Sequence, residues 1–215
     1  MEALSGAYNL LVKGGAVMYA ILACSVWVVA VGIERWGYYR RAGAAPGPLI
    51  AKVRALLAAG DVDGARRACD ASEGAVAQVL RDGLGRWGMP VEGLRDVLDA
   101  SAGLAAAKLR QRLLHLETAV TLAPLLGLLG TVSGMIQSFS VLNLKAGQPL
   151  AITGGVGEAL IATAAGLTVA IIALVVHTYF VQRLDSIITD IEQACALLLE
   201  AAAAGAAERG SKQCG

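Results

Sequence analysis

Charge is scarce in this chain: 16% of its 215 residues are Asp, Glu, Lys or Arg, and they sum to a net +1. A total so near zero supplies no basic field for nucleic acid. The four cysteines, Cys24, Cys69, Cys195 and Cys214, lie far apart with no Cys-x-x-Cys pair. That spacing supports neither a zinc site nor a disulfide framework. The two histidines, His115 and His177, have no partner at metal-ligand spacing, so no metal is expected. No nucleophile–base pair or cofactor motif is apparent, so neither an enzyme nor a bound cofactor is expected. The cluster Thr153-Gly154-Gly155-Val156-Gly157 resembles a phosphate-binding loop, but no Gly-Lys-Ser/Thr follows it.

What the chain has instead is apolar residue: 56% hydrophobic, with a mean hydropathy of +0.62. The excess gathers in three runs, 16–33, 119–144 and 151–181. The second and third exceed the roughly 20 residues that cross a hydrocarbon core. Ile21-Leu22-Ala23-Cys24 in the first resembles a lipoprotein cleavage box. The apolar run continues past Cys24 and only Lys13 precedes it, so a retained anchor is expected. Trp27, Trp36, Tyr38 and Tyr39 suit a helix that ends at a membrane interface. The predicted architecture is an all-α membrane protein with three transmembrane helices and long cytoplasmic helical extensions.

The basic residues orient these spans. One lysine, Lys13, stands in segment 1–15, and one, Lys145, in the link 145–150. Segment 34–118 carries thirteen Lys or Arg, from Arg35 to Arg112, and segment 182–215 adds Arg183, Arg209 and Lys212. Basic loops stay in the cytoplasm. The N-terminus and the link are therefore predicted outside, in the periplasm, with 34–118 and the C-terminus inside. Within 34–118, helices are expected over Leu49 to Leu57 and Gly64 to Leu84, with Asp61 or Asp63 as an N-cap. The spacing of Leu109, Leu113, Leu116 and Val120 predicts that the second span begins as a cytoplasmic helix. Leu184, Ile187, Ile191, Cys195 and Leu198 form an amphipathic stripe beyond the third span. Residues 201–215 are expected to be a disordered tail.

Glu158 is the single formally charged residue between Ala151 and Val176. A carboxylate at such depth costs roughly 2.5–3.5 kcal/mol on insertion scales, so it is expected to face protein or water and to handle an ion. Two stripes of small residues accompany it. Pro124, Gly127, Thr131, Gly134 and Ser138 recur along the second span, and Gly155, Ala159, Thr163, Gly166, Ala170 and Ala173 along the third. Such stripes let membrane helices approach closely. Thr163 lies about 140° around the helix from Glu158, so the two are expected to border one cavity from different angles. Threonines in membrane helices also bond their own preceding carbonyls, which is the plainer role for Thr131 and Thr163.

The run from Ala123 to Val132 (Ala-Pro-Leu-Leu-Gly-Leu-Leu-Gly-Thr-Val), followed by Gly134-Met135, resembles the second-span signature of the MotA/TolQ/ExbB proton-channel family. Gly155 to Leu167, with Glu158 and Thr163 inside it, resembles that family's third-span signature, and Gly60 to Ala65 is also similar. The resemblance covers most of the chain and is nearest to the ExbB and TolQ branch. It implies a homopentameric subunit of the bacterial inner membrane that encircles a single-span ExbD- or TolR-like partner and serves a TonB- or TolA-like protein. Proton flow would drive energy-dependent transport across the outer membrane or, in a TolQ-like role, envelope maintenance. Glu158, Thr131 and Thr163 fall on the family's pore-lining positions. Ser133 stands where known members carry tryptophan, and Ile172 where proline is common, which implies a straighter third span. A passive scaffold, with Glu158 as a structural hydrogen-bonding group, is the competing expectation.

Overall fold

The computed structural model of the chain describes residues 15–43, 46–111, 113–144 and 149–213. Among them there is no strand. The helices are α1 (Gly15–Ala42), α2 (Pro46–Ala58), α3 (Val62–Asp70), α4 (Ala75–Gly85), α5 (Val91–Arg110), α6 (Leu113–Leu144) and α7 (Pro149–Gln213). Three helical stretches are long and apolar enough to cross a membrane. The runs 16–33, 119–144 and 151–181 fall within α1, α6 and α7. The all-α membrane architecture is therefore as the sequence predicts. Segment 1–14 and residues 145–148 of the link lie outside the described residues.

The chain divides into two compact units, one of residues 1–34 and 112–179, the other of 35–111 and 180–215. In the first, large apolar side chains point out and small ones in. Leu125, Ile136, Leu160 and Val175 are 60–65% exposed, whereas Ala123, Ala159, Ala162 and Ala173 are at most 3% exposed. Water would not tolerate this arrangement, but a bilayer does, because lipid tails solvate leucine and leave close backbone packing to hold the helices.

The second unit is packed in the ordinary way. Leu80, Leu84, Leu94, Leu98, Leu109, Ile191 and Leu198 are at most 2% exposed. Each such side chain contributes about 1.5–3 kcal/mol when fully buried. Gly83 lets α4 approach its neighbours: a β-carbon there would lie 2.6 Å from Leu98 Cδ2 and 2.8 Å from Leu198 Cδ1. The predicted stripe on α7, Leu184 to Leu198, is buried throughout. Asp61 caps α3 by accepting a hydrogen bond from the Gly64 amide at 2.7 Å. Arginines satisfy two helix C-termini, where carbonyls lack partners. Arg66 donates to the Leu84 carbonyl at 2.7 Å and Arg81 to the Cys69 carbonyl at 3.0 Å.

Two local expectations are corrected and one is refined. The predicted helix from Gly64 to Leu84 breaks between α3 and α4. There Gly74 has φ +119°, and a β-carbon on it would sit 2.8 Å from the Ala42 carbonyl oxygen. The helix of the second span starts ahead of the apolar run, at Leu113, as the leucine spacing predicts, but Leu109 belongs to α5, which ends at Arg110 where Gln111 turns to ψ 133°. Leu109, Leu113 and Leu116 keep the predicted spacing and are buried even so. The tail predicted to be disordered from Ala201 is helical to Gln213, since the run Ala201–Ala204 has high helix propensity.

Candidate functional site: a carboxylate beside the membrane helix seam

In the first unit α6 and α7 run antiparallel along a seam of glycine and alanine. At one end a β-carbon on Gly134 would lie 2.8 Å from the Gly155 carbonyl oxygen, and one on Gly155 would meet the Ser138 hydroxyl. Midway, Gly130 faces Ala162, and a β-carbon on that glycine would lie 2.5 Å from the alanine methyl. At the other end, Gly127 meets Thr163, and a β-carbon on Gly166 would come within 2.6 Å of the Ala123 carbonyl oxygen. No side chain larger than hydrogen fits at these glycines without a shift of the facing helix. Pro124, also predicted as a packing residue, is half-buried inside α6, next to the fully buried Ala123.

The polar residues distribute themselves around this seam. The Thr163 hydroxyl donates across it to the Gly127 carbonyl at 3.0 Å. Thr131 donates to Leu128 in its own helix at 2.7 Å, and Ser138 to Gly134 at 2.9 Å. Glu158 is half-buried on α7. Its Oε1 packs on the α-carbon of Gly15, the first residue of α1, where a β-carbon would overlap the carboxylate. Gly15 has φ +68°, a backbone that glycine adopts at little cost.

Of the predicted site residues, the fold thus brings Thr163 to Gly127 and Glu158 to Gly15. It sets Glu158 on the α1 side of the seam and Thr163 on the α6 side. Sequence periodicity alone did not single out Gly15, Gly130 and Ala162. Gly130 and Ala162 carry a readable signal, since each lies three or four residues from a seam glycine or alanine. Gly15 carries none, because only the tertiary fold pairs it with Glu158.

Further side-chain contacts lie along α1. His115 packs against Trp27 with ring centroids 5.7 Å apart. In the second unit Arg35, 5% exposed, lies over the Tyr38 ring at 4.7 Å. Tyr39 stacks on Phe180 at 5.4 Å and donates to the Leu109 carbonyl at 2.8 Å. Burial pushes the Tyr39 phenol up to about 12, against the opposing effect of Arg35.

These features define a helical membrane protein that keeps one carboxylate beside a tightly packed pair of spans. A model of the MotA/TolQ/ExbB proton channel family matches residues 71–193, and the chain belongs to that family. It is 35% identical over 173 residues to the ExbB-like 1 protein of Synechocystis sp., covering 79% of this chain and 68% of the relative. It is 38% identical over 73 residues to the biopolymer transport protein ExbB of Salmonella typhimurium, 34% of this chain and 30% of that one. With the Tol-Pal system protein TolQ of Pseudomonas aeruginosa it shares 35% identity over 99 residues, 46% and 43% of the two chains. The ExbB/TolQ branch is the one to which it belongs.

Proposed function

We propose that this chain is the proton-conducting subunit of an ExbB-like motor in the bacterial inner membrane, coupling the proton motive force to energy-dependent transport across the outer membrane. The observation that carries the reading is Glu158, the sole charged residue between Ala151 and Val176 in a chain of this family. Between Ala151 and Val176 it is the one side chain that can take and release a proton. A sodium ion would require several oxygen ligands, which favours a proton as the coupling ion. In this reading Thr131 and Thr163 line the path with Glu158. The partner is an ExbD- or TolR-like protein whose single span enters a ring of copies, five by family resemblance, and a TonB- or TolA-like protein receives the work.

The charge distribution supports a periplasmic N-terminus and link, with 34–118 and 182–215 cytoplasmic. A TolQ-like role in envelope maintenance is the second reading, favoured by the match to the Pseudomonas aeruginosa protein over 99 residues. Deleting the gene separates the two. Loss of energy-dependent uptake with an intact envelope is the expected result, and detergent sensitivity with normal uptake would transfer the assignment to the TolQ-like role. If neither changes, the chain is a scaffold.

A further inference from the structure

In the second unit a cavity of about 310 Å³ opens where α1 ends, walled by α1, α4 and α5. Arg41 and Lys108 line it, together with Tyr38 and Gln78, and Glu73 is its one acidic residue. Among the described residues neither Arg41 nor Lys108 has an ion-pair or hydrogen-bond partner for its side chain. The frame around them is fixed. The Tyr39 hydroxyl ties α1 to the Leu109 carbonyl of α5 at 2.8 Å, and Gly74 presses the start of α4 against the Ala42 carbonyl. Two exposed cations with no side-chain partner among the described residues therefore line a preformed hollow, beside Leu109.

The position of the hollow along α1 indicates its ligand. Tyr38 and Arg41 lie five and eight residues beyond Ile33, where the first apolar run ends. At 1.5 Å per residue these are about 8 and 12 Å past the hydrocarbon edge. The headgroup layer occupies roughly 5–8 Å on each side of the core, and the flexible stems of Arg and Lys bring their charges several ångströms back toward it. Basic pockets at this level take acidic lipid headgroups. We propose that Arg41 and Lys108 bind the phosphate of an anionic phospholipid headgroup, such as that of phosphatidylglycerol, in the leaflet that α1 leaves at Ile33. With Glu73 present, the hollow carries one net positive charge, which favours a headgroup of net negative charge over a zwitterion. The proposal rests on the chain spanning a membrane, not on proton transfer at Glu158.

The test uses the full-length protein in nanodiscs of phosphatidylglycerol and phosphatidylcholine in equal amounts. After extraction, native mass spectrometry counts the lipids retained. Phosphatidylglycerol should be retained in preference, and Arg41→Gln or Lys108→Gln should each lower that retention about fivefold, the size expected for one surface cation. Arg95→Gln, on an exposed position outside the hollow, should leave it unchanged. Equal retention of the two lipids by the wild-type protein overturns the proposal without any variant. So does undiminished phosphatidylglycerol retention in both folded variants. A parallel arm adds inorganic phosphate at millimolar concentration. Displacement of the lipid by phosphate at concentrations comparable to the lipid would reassign the hollow to a soluble anion.

Discussion

Gly15 and Glu158 are 143 positions apart in sequence and touch in the fold, which makes a single methyl group informative. Gly15→Ala places a β-carbon on the carboxylate and forces alanine to φ +68°, a backbone that costs roughly 1–2 kcal/mol per non-glycine residue. We expect reduced transport with the protein still inserted, measured as uptake at matched protein level. Full activity would mean that this contact is incidental. Thr163→Val removes the bond to the Gly127 carbonyl and should cost about 0.6–1.7 kcal/mol of helix association. Thr131→Val removes only a bond within its own helix, so stability should barely change. A transport defect in that variant would assign the hydroxyl to the path. Glu158 was legible in the sequence because nothing else charged surrounds it, whereas Gly15 was not, because its role exists only once α1 meets α7. Buried Cys69 supplies a pH test at the same scale. Burial raises its thiol from 9.0 to about 11, Arg81 lowering it and Asp70 raising it by smaller amounts. The unfolded chain therefore loses its proton first, and this contribution to stability is complete below pH 9 and disappears as pH rises toward 11. Cys69→Ala should flatten that alkaline decline in a thermal-unfolding series.

At the scale of elements, the α6–α7 seam is the feature on which the membrane unit depends. Gly134→Val and Gly166→Val each push a side chain into facing backbone at 2.6–2.8 Å. Both should separate the hairpin and abolish assembly in a crosslinking assay between α6 and α7, while Gly157→Ala, in open space, should not. The small-residue stripes were readable because periodicity records a buried face. They missed Gly130 and Ala162 because two adjacent rows, not one, face the partner helix. The break at Gln111 and the break before α4 left weaker traces. Leucine spacing runs across the first as though one helix continued, and the second depends on Gly74 meeting Ala42. The cap of α3 was legible as one of two aspartates, Asp61 or Asp63; the fold selects Asp61, and Asp61→Ala should cost about 0.5–2 kcal/mol.

For the whole molecule, the membrane unit exposes leucine, isoleucine and valine on its outside and hides alanine and glycine, a pattern set by its solvent. The proposed orientation is open to thiol labelling, but the native cysteines are poor reporters: Cys69 is 0% and Cys195 9% exposed. A cysteine placed at Gln148 should react with an impermeant reagent on intact spheroplasts, and one placed at exposed Asp96 should not. The reverse would invert the topology. The central claim is that Glu158 carries the proton. Its most direct test is proton flux into proteoliposomes holding the chain with the proposed ExbD- or TolR-like partner, under an imposed membrane potential. Wild-type complexes should conduct, Glu158→Asp should conduct more slowly, and Glu158→Gln should assemble with the partner yet pass no protons. Wild-type flux through Glu158→Gln complexes would contradict the account.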